Sequence, residues 1–241
     1  MPRWRKHQLA QLATIVIVTP DLDSRPARLM PRLLSVLVAA VAAAAALVVG
    51  PAAPAAQAQG CPDIEVIFAR GTDDTPGLGR VGSAFVDSLR GKVGNRSVNA
   101  YAVNYPASFD FLAAAGGAND ASRQVQFMMA NCPGTRLVLG GYSQGAAVID
   151  IIAAVPFPAV GFTNPLPPNA PDFVAAIAVF GNPTAKVGLP MTASPIWGTR
   201  SIDLCAVGDP VCSDGDSIPA HSTYASSGQA SEAASFVAGL L

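Results

Sequence analysis

Arg136-Leu-Val-Leu-Gly-Gly-Tyr-Ser-Gln-Gly145 runs straight into Ala146-Ala-Val-Ile-Asp-Ile-Ile-Ala-Ala154. The segment from Arg136 to Tyr142 is apolar on both faces, as a strand buried in a parallel sheet must be. The segment from Ala146 to Ala154 reads as the helix that follows. Between them, Gly141-Tyr-Ser-Gln-Gly145 has the form G-x-S-x-G. Such a short pattern arises by chance, so the flanking strand and helix carry the reading. Strand, sharp turn and helix make a nucleophile elbow, which lifts Ser143 above the end of the sheet. The glycines allow the turn without a Cβ clash. The helix start aims its positive end at a developing oxyanion.

The neighbouring elements continue the alternation. Asp63-Ile-Glu-Val-Ile-Phe-Ala69 alternates and is rich in β-branched residues, and a Gly-rich turn from Gly71 to Gly79 follows it. Val81, Phe85 and Leu89 recur at helical spacing over 81–89. Residues 97–105 read as a second strand, and 122–129 as a helix that Cys132-Pro-Gly134 ends. Residues 156–171 hold six prolines and little periodicity, which predicts an irregular loop. Residues 173–180 and 200–204 read as a fourth and a fifth strand, and 231–241 as a closing amphipathic helix. Strands alternating with helices predict βαβ units and a mainly parallel sheet. No repeat or linker divides residues 59–241.

The N-terminus has another character. Residues 33–50 are an uncharged Ala/Val/Leu run of 18 residues, preceded by Arg25, Arg28 and Arg32 and followed by Ala56-Gln-Ala58. Basic region, apolar region and small-x-small triplet predict a secretory signal peptide cleaved after Ala58. A run of this length is also near the lower limit for a membrane anchor, but its Ala-rich end and the triplet favour removal. A signal peptide opening at Met30 has ordinary proportions, which points to a start of translation there. Residues 1–58 are therefore read as extension and signal peptide, and 59–241 as the folded domain.

The whole chain is 51% hydrophobic and 13% charged, a balance that fills a core and argues against disorder. After position 58, nine basic and fourteen acidic residues remain, a formal charge five units negative. An acidic domain without a basic cluster is a poor nucleic-acid binder. Cys61, Cys132, Cys205 and Cys212 all lie in the exported part, where an even count predicts two disulfides. Of the three possible pairings, Cys205–Cys212 closes a short loop and leaves Cys61 with Cys132. No C-x-x-C occurs and the exported part has one histidine, so no metal site is expected.

A serine hydroxyl is a weak nucleophile until a base takes its proton. Histidine is the usual base, because its pKa lies near neutrality, and the exported part offers only His221, in Ile218-Pro-Ala-His221 beyond the last strand. The histidine needs an acid to hold its tautomer, and α/β-hydrolases order serine, acid and histidine along the chain. Asp150, Asp172, Asp203, Asp209, Asp214 and Asp216 lie in that interval. Asp150 falls on the helix after the elbow, Asp172 at a strand start, and Asp214 and Asp216 read as exposed turn acids. Asp209 sits in the loop that a Cys205–Cys212 bond would close, and a braced loop holds a carboxylate with little entropy left to lose. Asp203, in the last strand, is the second choice.

Phe68-Ala-Arg-Gly-Thr72, Gly141-Tyr-Ser-Gln-Gly145, Phe180-Gly-Asn-Pro183, Cys205-Ala-Val-Gly-Asp-Pro-Val-Cys212 and Pro219-Ala-His221 occur in that order. Together they resemble the cutinase family, in particular its actinobacterial cutinase-like esterases, over nearly all of residues 61–241. The resemblance implies a small three-layer α/β-hydrolase with a central five-stranded parallel sheet and no large lid. It implies disulfides Cys61–Cys132 and Cys205–Cys212, Asp209 as the acid, and Thr72 as an oxyanion-hole residue beside the backbone N–H of Gln144. Fungal members usually carry serine where Thr72 stands, and the added methyl narrows the hole. Asp73 and Asp74 next to it oppose a developing anion unless they point outward.

The expected function is a secreted serine carboxylesterase, extracellular or wall-associated, that cleaves short- to medium-chain acyl esters through an acyl-enzyme. No cofactor and no metal are expected, and the protein is expected to act as a monomer on an ester or lipid substrate, with transient contact to a lipid surface. A lipase, a phospholipase or an acetylxylan esterase would use the same three residues. From another class, a catalytically silent module would bind lipid or glycan. Tyr105 to Phe111 and the Pro-rich loop with Phe157, Phe162 and Leu166 are candidates to flank the site.

Overall fold

Side-chain alternation in the central strands sorts two apolar layers. In the computed structural model, which describes residues 60–241, five parallel strands form one sheet. They are β1 (Ile64–Ala69), β2 (Val98–Ala102), β3 (Arg136–Tyr142), β4 (Val174–Phe180) and β5 (Ser201–Leu204), in the order β2-β1-β3-β4-β5. The signal peptide and cleavage site predicted from the sequence lie outside the described residues.

Ile67, Leu139, Ile177 and Val179 point to one face, where α2 (Ala114–Asn131) and α3 (Gln144–Ala154) bring Ala121, Val125, Val148 and Ile149. Val66, Phe68, Val138 and Phe180 point to the other. There α1 (Gly79–Arg90) and α5 (Gln229–Ala238) bring Val81, Phe85, Leu89, Ala233 and Val237. The rings of Phe68, Phe85 and Phe180 pack with centroids 5.9–6.4 Å apart at the middle of this second layer. The result is the three-layer α/β-hydrolase architecture. A short helix, α4 (Pro183–Lys186), follows β4 and is capped by the Asn182 side chain.

Two departures from the sequence reading have a clear packing reason. The second strand ends at Ala102 rather than Tyr105, because β2 is an edge strand and its sole neighbour, β1, stops at Ala69. Tyr105 turns inward, and its hydroxyl donates to the Arg70 carbonyl. The helix read over 122–129 begins at Ala114, across a Gly-Gly pair that disfavours helix by about 1 kcal/mol per glycine. Gly117 is where α2 presses against the Tyr105 ring and Val148: a Cβ there would stand 3.0 Å from each. Close packing of the two helices outweighs the propensity.

The chain crosses from one side of β1 to the other between β2 and β3, so the C-terminal ends of β1 and β3 are neighbours at the switch point. Ligand crevices of open α/β sheets form at such a point. The loop after β1 carries Thr72, and the turn after β3 carries Ser143.

Candidate active site

Ser143 has φ 55° and ψ −119°, a conformation that non-glycine residues rarely adopt. The neighbouring glycines explain how the turn fits. A Cβ on Gly141 would stand 2.2 Å from the Gly145 carbonyl oxygen, and one on Gly145 2.0 Å from that of Ala69. The elbow is thus closed on itself and packed against β1. The Ser143 backbone N–H donates to the Phe180 carbonyl at 2.9 Å, which anchors the turn to β4.

His221 lies in a 3₁₀ turn, Ile218–Ser222, beyond β5. Its Nε2 is 2.8 Å from Ser143 Oγ, and its Nδ1 is 2.7 Å from Asp209 Oδ2. The Asp209 side chain is fully buried, whereas the imidazole keeps 17% of its surface exposed. Asp209 Oδ1 accepts the Val211 N–H at 2.8 Å, inside the loop that the Cys205–Cys212 disulfide closes. Cys61 is bonded to Cys132, which ties the start of β1 to the end of α2. Serine, histidine and aspartate thus form an unbroken hydrogen-bonded series, which can draw the proton from the hydroxyl while the carboxylate steadies the resulting imidazolium.

Thr72 reaches the same place from β1. Its Oγ1 donates to Gln144 Oε1 at 3.3 Å, and Gln144 Nε2 donates to the Ser108 carbonyl at 2.9 Å. Among the described residues, no acceptor takes the backbone N–H of Thr72 or of Gln144. Asp73 is exposed, and Asp74 accepts the Gly71 N–H at 3.3 Å, folding the turn back on itself. Arg70 pins this turn to the next segment by donating to the Tyr105 and Pro106 carbonyls at 2.8 and 3.2 Å.

The other carboxylates are elsewhere. Asp214 and Asp216 are exposed, and Asp172 lies in a 3₁₀ turn before β4. Asp150 and Asp203 meet each other through Asn182, whose amide donates to Asp203 Oδ2 at 2.9 Å and to Asp150 Oδ1 at 3.4 Å. The Thr184 hydroxyl donates to Asp150 Oδ2 at 2.5 Å, and the Met191 N–H to Asp203 Oδ2 at 2.8 Å. Burial pushes the Asp150 carboxyl up from 3.8 to about 6, although the Thr184 hydrogen bond opposes it; burial raises Asp203 as well.

A raised carboxyl means that the fold holds the Asp150 proton more tightly than the unfolded chain does. That stabilisation is complete below about pH 3.8 and is lost as pH rises through about 6. Between about pH 4 and pH 7 the chain should therefore lose up to about 3 kcal/mol relative to Asp150→Asn, which does not titrate. Denaturant melts of both proteins across that range check this, and parallel stability curves would refute it.

Sequence reasoning missed three residues of the site. Tyr142, read as the end of a strand, donates its hydroxyl to the His221 carbonyl at 2.6 Å, and burial pushes this phenol up to about 12, so it stays a donor. Gly181 has φ 56° directly under the histidine, where a Cβ would stand 2.7 Å from Cε1. Tyr224, fully buried, touches Asp209. The one available signal was a phenol three residues after the histidine, whose hydroxyl must find a partner if buried.

A family model described as Cutinase matches residues 60–241. Over 208 residues the chain is 58% identical to the phospholipase Culp4 of Mycobacterium tuberculosis, covering 86% of this chain and 91% of that protein. It is 48% identical over 210 residues to the carboxylesterase Culp1 of the same species, covering 83% and 92%. Among solved structures, a Trichoderma reesei cutinase in complex with a phosphonate inhibitor is 33% identical with a TM-score of 0.59, covering 75% of this chain and 77% of that one. The catalytic core of an acetyl xylan esterase from the same fungus is 26% identical with a TM-score of 0.62, covering 76% and 100%. The chain belongs to the cutinase family.

Proposed function

We propose that the domain is an exported esterase in which Ser143 attacks the ester carbonyl, His221 carries the proton and Asp209 holds the imidazole. The hydrogen-bonded series from Asp209 through His221 to Ser143 carries this reading. Family membership makes the chain a carboxylic-ester hydrolase of the serine type. His221 accepts the Ser143 proton as the Oγ–carbonyl bond forms, and the backbone N–H of Gln144 with Thr72 stabilises the oxyanion. The proton then passes to the departing alcohol. Water, activated by the same imidazole, releases the acid from Ser143.

An exposed apolar lip supports acyl esters as substrates. Phe109, Phe111 and Leu112 are exposed next to Ser108, whose carbonyl Gln144 holds. Val207 and Ile218 are exposed on the segment that carries Asp209 and His221. Exposed apolar side chains on the segment tied to Gln144 and on the segment that carries Asp209 and His221 suit a short or medium acyl chain and brief contact with a lipid surface. A phospholipid is the second substrate class, which the 58% identity to a protein named phospholipase favours. Two disulfides support export to an oxidising compartment. No helix among the described residues is long and apolar enough to cross a membrane.

The test is a rate series over p-nitrophenyl esters from acetate to palmitate, with phosphatidylcholine vesicles and acetylated xylan alongside. Rates should peak at short to medium chains. Phe109→Ser, Phe111→Ser and Leu112→Ser together should cost about tenfold on octanoate, through lost apolar contact, and leave acetate within about twofold. No turnover of any ester by the folded protein would overturn the reading in favour of a binding module.

A further inference from the structure

We infer that Tyr224 is a positioning residue that sets the basicity of His221 through Asp209; this rests on the reading of Ser143, His221 and Asp209 given above. Tyr224 has no exposed surface. Its hydroxyl donates to Asp209 Oδ2 at 2.5 Å, the same oxygen that faces His221 Nδ1 at 2.7 Å.

The direction of that bond follows from its partners. The Ala206 N–H donates to the phenol oxygen at 3.0 Å, so one lone pair of that oxygen is already used. An ionised carboxylate has no proton to offer. The phenol hydrogen therefore goes to Asp209. Burial, and then the hydrogen bond to Asp209, push the Tyr224 phenol upward, so it remains a donor throughout the working pH range.

Two donors thus compete for one carboxylate oxygen. The phenol disperses part of the negative charge that would otherwise stabilise the imidazolium, so it lowers the affinity of His221 for its proton. It also joins the acid to the backbone of Ala206, next to the disulfide at Cys205. The Tyr224 ring stands edge-on to the imidazole, at 89° with centroids 6.2 Å apart, which limits how far the histidine can swing. The Phe180 ring packs against it with centroids 6.0 Å apart, so the ring also fills core space, and a phenylalanine keeps that packing.

The test compares the chain with Tyr224→Phe by the pH dependence of kcat/KM on p-nitrophenyl butyrate. Deleting the hydroxyl should raise the acid limb by about 0.5 to 1 pH unit. It should also lower kcat by about ten- to a hundredfold with KM nearly unchanged. Replacing Tyr224 by 3-fluorotyrosine strengthens the donor and keeps the ring, so the acid limb should move down instead. Superimposable profiles in both variants, or shifts of the same sign, would overturn the inference and leave Tyr224 with packing alone. A fluorophosphonate titration of the unaltered chain separates the two levels. Stoichiometric labelling at Ser143 with unshifted profiles sinks only the role of Tyr224, whereas no labelling sinks the reading on which it rests.

Discussion

Ser143→Ala should lower kcat on p-nitrophenyl butyrate by about a millionfold and abolish fluorophosphonate labelling. Ser143 Oγ is the hydroxyl that meets His221 Nε2, at 2.8 Å, and the elbow brings it there on the strained backbone turn after β3. The alanine variant keeps Thr72, the Gln144 N–H and the lip. A residual acceleration of about a thousandfold over water is therefore expected from binding and oxyanion stabilisation. The fold should persist, because the half-exposed serine side chain makes no contact on which the core depends. Matched thermal melts and rates for both proteins check this. More than about 1% of the original kcat in the folded variant would remove Ser143 from the mechanism.

Asp209→Asn should cost about ten-thousandfold in kcat while leaving KM close to its original value. The geometry gives the reason. The Tyr224 hydroxyl and the Val211 N–H are both donors aimed at this side chain, one at each oxygen. An asparagine must place its oxygen toward one of them and its NH2 toward the other. With NH2 on the histidine side, an N–H points at Nδ1 and forces the proton of a neutral imidazole onto Nε2, which then faces Ser143 as a donor and cannot act as its base. With NH2 on the Val211 side, two N–H groups collide and the loop must shift. Asp203→Asn provides the contrast: Asp203 faces Asn182 and the Met191 N–H, and the loss of its charge should leave kcat within about threefold. Kinetics on both variants decide between the two acids, and a reversed ranking would transfer the role to Asp203.

Much of this architecture is legible in the residues. Strands apolar on both faces, split by helical spacings such as Val81, Phe85 and Leu89, lead to a parallel α/β sheet because each buried face must meet a helix. The serine stood out through the glycines around it. A Cβ at either would enter backbone, so few other sequences could make that turn. The histidine was legible by scarcity. The helix start at Ala114 was not, because the Gly-Gly pair there is unfavourable locally and acceptable only once Tyr105 and Val148 pack against it. The early end of β2 depends likewise on its one neighbour, β1, which offers no strand residue beyond Ala69 to pair with Asn104 or Tyr105.

The acid marks the boundary between the two kinds of information. Chain order left several aspartates between Ser143 and His221, and local spacing separates them only weakly. Asp203 and Asp209 are close in sequence, yet one lies in a strand beside Asn182 and the other in a disulfide-closed loop beside the imidazole. Which carboxylate meets the histidine depends on how β5 and the following loop lie against the ends of β3 and β4. The contacts of Tyr142, Gly181 and Tyr224 have the same origin. Each lies against a residue at least 15 positions away in the chain, so the contact appears only when the sheet is assembled. By itself the sequence determined the layers, the elbow and the one histidine after position 58. Tertiary packing decided that Asp209 and not Asp203 meets the imidazole, and that Tyr142 and Gly181 lie against His221, because those contacts depend on distances between segments that no local pattern encodes.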